Sequence, residues 1–163
     1  MITVGKVTSG TPGRESALLM LLDDDLTRTP IIRVWSNSAM YSAVNPVQEA
    51  TDVATTVDGG IFVTGFISAA FSQGGWDCFV LRLNYTMDII WAKSFGTGGL
   101  HEQCYSIKVT RNYDYFYVGG IQYITTTRSM IFYKFEAYGD SGITTTLTPT
   151  GTDSLSLRRI LMT

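Results

Sequence analysis

Residues 77–120, DCFVLRLNYTMDIIWAKSFGTGGLHEQCYSIKVTRNYDYFYVGG, hold four short segments of one character. CFVLRL, IIWAKSF, CYSIKV and YFYVGG are rich in β-branched or aromatic residues, and polar or glycine-bearing turns separate them. Weaker copies lie on either side in the same order. IFVTGF (61–66) matches FYVGGI (116–121) at a spacing of 55, and ITVGKV (2–7) matches the first of these at about 60. SALLMLLD (16–23), DCFVLRLN (77–84) and SMIFYKFE (129–136) form a second set, and PIIRVWS (30–36) matches DIIWAKS (88–94) at 58. DVATTVD (52–58), YSIKVTR (105–111) and LSLRRIL (155–161) form the last. A drifting period of roughly 50–60 residues with four strands per unit predicts an all-β fold of propeller-blade-like, four-stranded antiparallel sheets. The chain holds about three such units, approximately 1–50, 51–103 and 104–163, in a single β-repeat domain.

Before the central copy, strands are expected at 2–8, 17–22, 30–35, 52–57 and 61–66. Thr11-Pro12-Gly13 reads as a turn, and Asp58-Gly59-Gly60 as a hairpin turn whose glycines accept positive φ. SNSAMYSAVNPVQEA (36–50) reads as a long polar connection. In the last unit GITTTLTPTG (142–151) has lost the W-x-K-x-F-G strand.

Composition narrows the functional classes. With 163 residues, 45% of them hydrophobic and 16% charged, the chain can bury a core and is not expected to be disordered. A net charge of -2 lacks the basic face that phosphate binding needs, so no nucleic acid partner is expected. No apolar run approaches the ~20 residues of a membrane span. The start, MITVGKVTSG, lacks the basic region and apolar core of a signal peptide. Scarce lysine and frequent threonine suit an extracellular or cell-surface location.

The repeat unit resembles the SBBP family of β-propeller repeats, found mainly in bacterial and protist surface or secreted proteins. The pattern runs D-x-F-V-x-K/R-L, turn, W-x-K-x-F-G, loop, S-I/V-x-V, D-G, I-Y/F-V-x-G. Asp77, Phe79, Arg82, Leu83, Trp91, Lys93, Phe95, Gly96, Ser106, Ile107, Val118 and Gly120 stand at its positions. Asp58, Gly59, Ile61, Val63 and Gly65 fit the preceding unit. The resemblance implies a propeller fold and a surface location, and no single activity. By similarity to propeller blades, the S-I-x-V strand is innermost, I-Y-V-x-G second, D-x-F-V third and W-x-K outermost.

No catalytic constellation is visible. His101, the only histidine, reads as a loop residue beside Glu102 and Gln103, and no G-x-S-x-G motif accompanies it. Cys78 and Cys104 lack the local spacing of a zinc site. Asp23-Asp24-Asp25 lacks the D-x-D-x-D-G calcium pattern and reads as a solvated turn. No metal, cofactor or enzyme activity is expected. Asn84-Tyr85-Thr86 is an N-x-T sequon in an exposed turn, a candidate glycosylation site. Trp76 follows Gly74-Gly75 in a loop, where it either stacks on a sugar ring or caps a blade edge.

Cys78 begins a third-type strand and Cys104 an innermost strand one blade on, and those strand types run in the same direction. One unit earlier the chain has Ala17 and Ala50, so both cysteines are missing together. A bridged pair gives that picture; so do two independent buried thiols.

Counting strand types gives three of each, fewer blades than the four to eight of a closed ring. The segment carrying Leu155, Leu157, Ile160 and Met162 is an innermost strand without its blade, and the first three strands are a blade without its innermost strand. The reading is a non-enzymatic, structural, self-assembling surface module in which this strand completes the first blade of another copy, as ring or filament. A piece of a longer propeller, partnered by flanking blades, accounts for the same ends. A lectin-like or protein-binding module, with glycans among its partners, is the alternative. It would repeat aromatics with Asn, Asp or Arg in one loop of every unit. The loops SAAFSQGGW (68–76) and YITTTRS (123–129) share no such residue, which favours assembly.

Overall fold

In the computed structural model, residues 1–8, 15–22, 31–35, 47–68, 75–125, 127–136 and 142–147 are described. They form eleven strands and no helix: β1 (Ile2–Thr8), β2 (Glu15–Leu21), β3 (Ile31–Trp35), β4 (Val47–Thr55), β5 (Ile61–Ser68), β6 (Trp76–Leu83), β7 (Ile89–Phe95), β8 (His101–Val109), β9 (Tyr115–Ile124), β10 (Thr127–Glu136) and β11 (Gly142–Leu147). Each strand pairs antiparallel with its neighbour in sequence within three sheets. The first sheet is β1-β2-β3, the second β4-β5-β6-β7 and the third β8-β9-β10-β11.

The second sheet is apolar on both faces, which is why β5 and β6 read as near-continuous hydrophobic runs. Side chains on a strand alternate between faces, so the two sets separate cleanly. Ile61, Val63, Ile67, Phe79, Leu81 and Leu83 meet Ala17 and Leu19 of the first sheet, with Ile2, Val4 and Leu21 packed alongside. Phe62, Cys78 and Val80 meet Cys104, Ile107, Phe116, Val118, Ile131, Tyr133 and Phe135 of the third. Each junction therefore joins the front of one sheet to the rear of the next in chain order.

The hairpin turns follow from local chemistry. Gly59 takes φ 84° in the β4–β5 turn, closed by Thr56 N donating to Gly60 O at 2.9 Å. The Thr56 hydroxyl also donates to Asp58, which with the Gly60 backbone holds that carboxyl below its usual range. In the corresponding β8–β9 turn Tyr113 takes φ 62° without being glycine. Its hydroxyl accepts from Val57 N at 2.9 Å, tying the two turns together across sheets.

Three expectations are corrected. β4 begins at Val47 within the stretch read as a polar connection, and β8 begins at His101, so His101, Glu102 and Gln103 are strand residues. Both strands carry a bulge, between Ala50 and Asp52 and between Cys104 and Ser106. A bulge inverts the alternation of side chains, so a period-two reading stops there. The strand that the last unit was expected to have lost is present as β11, paired with β10 from Met130–Leu147 to Phe135–Gly142. Its aromatic motif is gone, yet Ile143 and three threonines suffice for an edge strand.

Candidate assembly edge and disulfide junction

The junction between the second and third sheets is stitched by covalent and polar contacts. Cys78 of β6 and Cys104 of β8 are joined, with Sγ–Sγ 2.03 Å and Cα–Cα 5.3 Å. Both are fully buried. Thr51, set out by the β4 bulge, donates its hydroxyl to Cys104 O at 2.7 Å. The neighbouring Asp52 carboxylate accepts from Ile107 N at 2.9 Å and from the Ser106 hydroxyl at 3.1 Å. The first strands of the two sheets, β4 and β8, are thus bonded to each other at their bulges.

A buried polar group lies beside the disulfide. Glu102 is fully buried, and its Oε1 accepts from Thr97 N and Gln122 Nε2, each at 2.9 Å. Its Oε2 has no hydrogen-bond partner. A side chain on Gly96 would meet Asp77 Oδ1 at 2.5 Å and Glu102 Oε2 at 3.1 Å, so two buried carboxyl groups converge on that glycine. Tyr133 stands in the same core; burial, and then the charges of Glu102 and Asp77, push its phenol well above the usual range. One unit earlier Gln48, also fully buried, takes the place of Glu102. Among the described residues no group of three or more His, Cys, Asp or Glu could hold a metal ion, and no helix is long and apolar enough to cross a membrane.

The first sheet differs at its β1 edge. Gly65 pairs with Ala50 at the β4 bulge and Gly120 with Cys104 at the β8 bulge. A Cβ on Gly65 would meet Glu49 O at 1.8 Å, and one on Gly120 would meet Gln103 O at 2.3 Å. Glycine is required at both because the bulged inner strand brings a carbonyl against the Cα. Gly65 lies opposite Phe79 and Gly120 opposite Ile131; on β1 the same position, opposite Leu18, is Gly5. Nothing lies within 4 Å of a Cβ built on Gly5. Among the described residues β1 pairs only with β2.

The other sequence candidates separate from this edge. Trp76 is the first residue of β6 and not a loop residue; its ring stacks on Phe66 at 5.1 Å and 6°. His101 Nδ1 accepts from Trp76 N at 3.3 Å. Asn84, read as exposed, is half-buried: its Oδ1 accepts from Thr86 N and Asp88 N at 3.0 and 2.8 Å, while Tyr85 is 75% exposed. Those turn contacts, the Thr86 hydroxyl first, hold the exposed Asp88 carboxyl below its usual range. Asp23, Asp24 and Asp25, and Leu155, Leu157, Ile160 and Met162, lie outside the described residues. Gly5 was passed over in the sequence because matching ITVGKV to IFVTGF end to end sets it against Thr64; strand register sets it against Gly65.

No protein-family model matches the chain, and no curated protein sequence matches it.

Proposed function

We propose that the chain is a structural, non-enzymatic, self-assembling module of the extracellular space or cell surface, a β-propeller-like unit of the kind the SBBP repeats represent. Its copies complete one another's sheets: the strand of residues 155–162 from one copy takes the innermost place beside β1 of the next. The observation that carries this reading is Gly5. It keeps, at an edge that no described strand covers, the residue that Gly65 and Gly120 need only because a bulged strand lies against them. Among the described residues β1 pairs with β2 alone, and its other side is where such a strand would add its N–H and C=O groups. The buried disulfide supports an oxidising compartment. A head-to-tail contact of this kind closes into a ring or extends as a filament, according to the rotation per copy.

Deleting residues 155–163 tests the reading. The truncated chain is expected to run as a monomer that retains its disulfide and β signature. A truncated chain that stays in the same assembly as the full chain would refute strand donation.

A further inference from the structure

Beside the disulfide, the junction of the second and third sheets gathers three side chains that can form a bond of their own. Thr97 lies in the connection from β7 to β8, and Gln122 stands on β9 opposite Glu102 of β8. Gln122 Nε2 donates to the Thr97 hydroxyl oxygen at 3.2 Å and to Glu102 Oε1 at 2.9 Å. Thr97 N donates to the same Oε1 at 2.9 Å. One carboxyl oxygen thus holds a hydroxyl and a carboxamide against each other. The carboxamide carbon is one bond from the nitrogen that the hydroxyl oxygen meets. Turning the amide about its soft terminal torsion presents that carbon to the oxygen.

Two further observations bear on what this group can do. Glu102 is fully buried and Gln122 is 6% exposed, so bulk water does not compete for the carboxamide. Glu102 Oε2 has no hydrogen-bond partner, which leaves one oxygen of a buried carboxyl free to carry a proton. One unit earlier the strand registers put Gln48 in the place of Glu102 and Ile67 in that of Gln122. The acid and the amide are therefore absent together. They are absent at the same junction where Ala17 and Ala50 replace the two cysteines. The second junction carries both sets.

We infer that Thr97 and Gln122 become joined by an ester, formed once by the folded chain on itself. Thr97 Oγ1 attacks Gln122 Cδ. The Glu102 carboxylate takes the hydroxyl proton and delivers it to the departing nitrogen, which Oε1 already holds at 2.9 Å. The Cδ–Nε2 bond breaks as the Oγ1–Cδ bond forms, ammonia leaves, and Glu102 returns to its starting state. The step needs no oxidant, metal or second molecule, because one hydroxyl and one carboxamide give one ester and one ammonia. Holding the two groups in contact, with bulk water kept from the amide, supplies the advantage that an unactivated amide requires. Protonation of the released ammonia in bulk water draws the exchange forward. The ester ties the connection leaving the second sheet to the second strand of the third, and reduction of the disulfide leaves it in place. The reaction spends itself within one chain, so the protein stays a structural module, and the inference does not depend on assembly between copies.

Intact mass of the purified chain is the test. The folded, oxidised parent is expected to be lighter by one ammonia than its sequence with the disulfide closed. Trypsin cuts between the two residues, after Lys108 and Arg111. A tryptic digest of the reduced chain is therefore expected to keep the peptides carrying Thr97 and Gln122 joined. Thr97→Val and Glu102→Gln are each expected at full mass, whereas Thr97→Ser keeps the hydroxyl and retains the loss. Far-UV circular dichroism verifies that each variant is folded. Because Glu102→Gln abolishes the bond, its separate effect on stability is read against Thr97→Val, which lacks the bond as well. A folded parent that stays at full mass after prolonged incubation overturns the inference. So does a loss of ammonia that persists in Thr97→Val or Glu102→Gln, or that maps to other residues.

Discussion

The hydroxyl of Thr51, at the bulge of β4, donates to the backbone carbonyl of Cys104, at the bulge of β8, across the junction of two sheets. The bulges that interrupt each ladder are thereby used to join neighbouring sheets. Replacing Thr51 with Val keeps the side-chain shape and removes the donor. Leaving a partly buried carbonyl without it is expected to cost about 1–2 kcal/mol in equilibrium denaturation. A loss of a few tenths would mean that water replaces the contact.

The disulfide joins residues 26 apart, and constraining a loop of that size is worth roughly 3 kcal/mol in the chain-entropy account. Cys78→Ala/Cys104→Ala is expected to lower stability by about that amount and to leave the sheets intact, because alanine already fills the same two places one unit earlier. Ala17 and Ala50 are themselves buried in one core. Ala17→Cys/Ala50→Cys is therefore expected to oxidise to a second bridge. Peptide mapping without reductant decides both; a double variant that keeps two alkylatable thiols would show that the junctions are not equivalent.

How much of this was open to reading depends on the kind of residue. The order of strands came through because segments such as CFVLRL and YFYVGG combine β-formers with clear turns, and the sheets follow that order. The early starts of β4 and β8 did not, because the bulges at Thr51 and Tyr105 break the alternation that marks a strand. β11 was masked by the loss of its aromatic motif, although threonine supports an edge strand as well. At the candidate site, the equivalence of Cys78 and Cys104 with Ala17 and Ala50 was visible as a paired substitution. Gly5 was not: its meaning lies in a cross-strand register, and a linear match of the segments is off by one.

Glu102 faces Asp77 across Gly96 with an unpartnered Oε2, and the preceding unit uses Gln48 in that place. Glu102→Gln keeps the acceptor for Thr97 and Gln122 and turns a second donor toward Asp77. Replacing one of two buried carboxyl groups by an amide that can donate to the other is expected to raise stability, by about 1 kcal/mol. A marked loss on thermal or urea unfolding would show that the carboxylate itself is needed there.

The three equivalent glycines should respond differently. Gly65→Ala and Gly120→Ala drive a Cβ into a backbone carbonyl and are expected to destabilise the isolated chain by about 2 kcal/mol or more. Gly5→Val meets open space, so it is expected to leave the monomer folded and to block the incoming strand. Unfolding midpoints separate the first two from the third. A Gly5→Val chain that assembles like the parent would mean that no bulged strand lies beside β1.

The most direct measurement is the native mass of the purified, oxidised chain over a range of concentrations. Strand donation between copies predicts particles at whole multiples of 18.0 kDa, two copies or more, rising with concentration. A single species at 18.0 kDa at every concentration, fully folded and bridged, would contradict it.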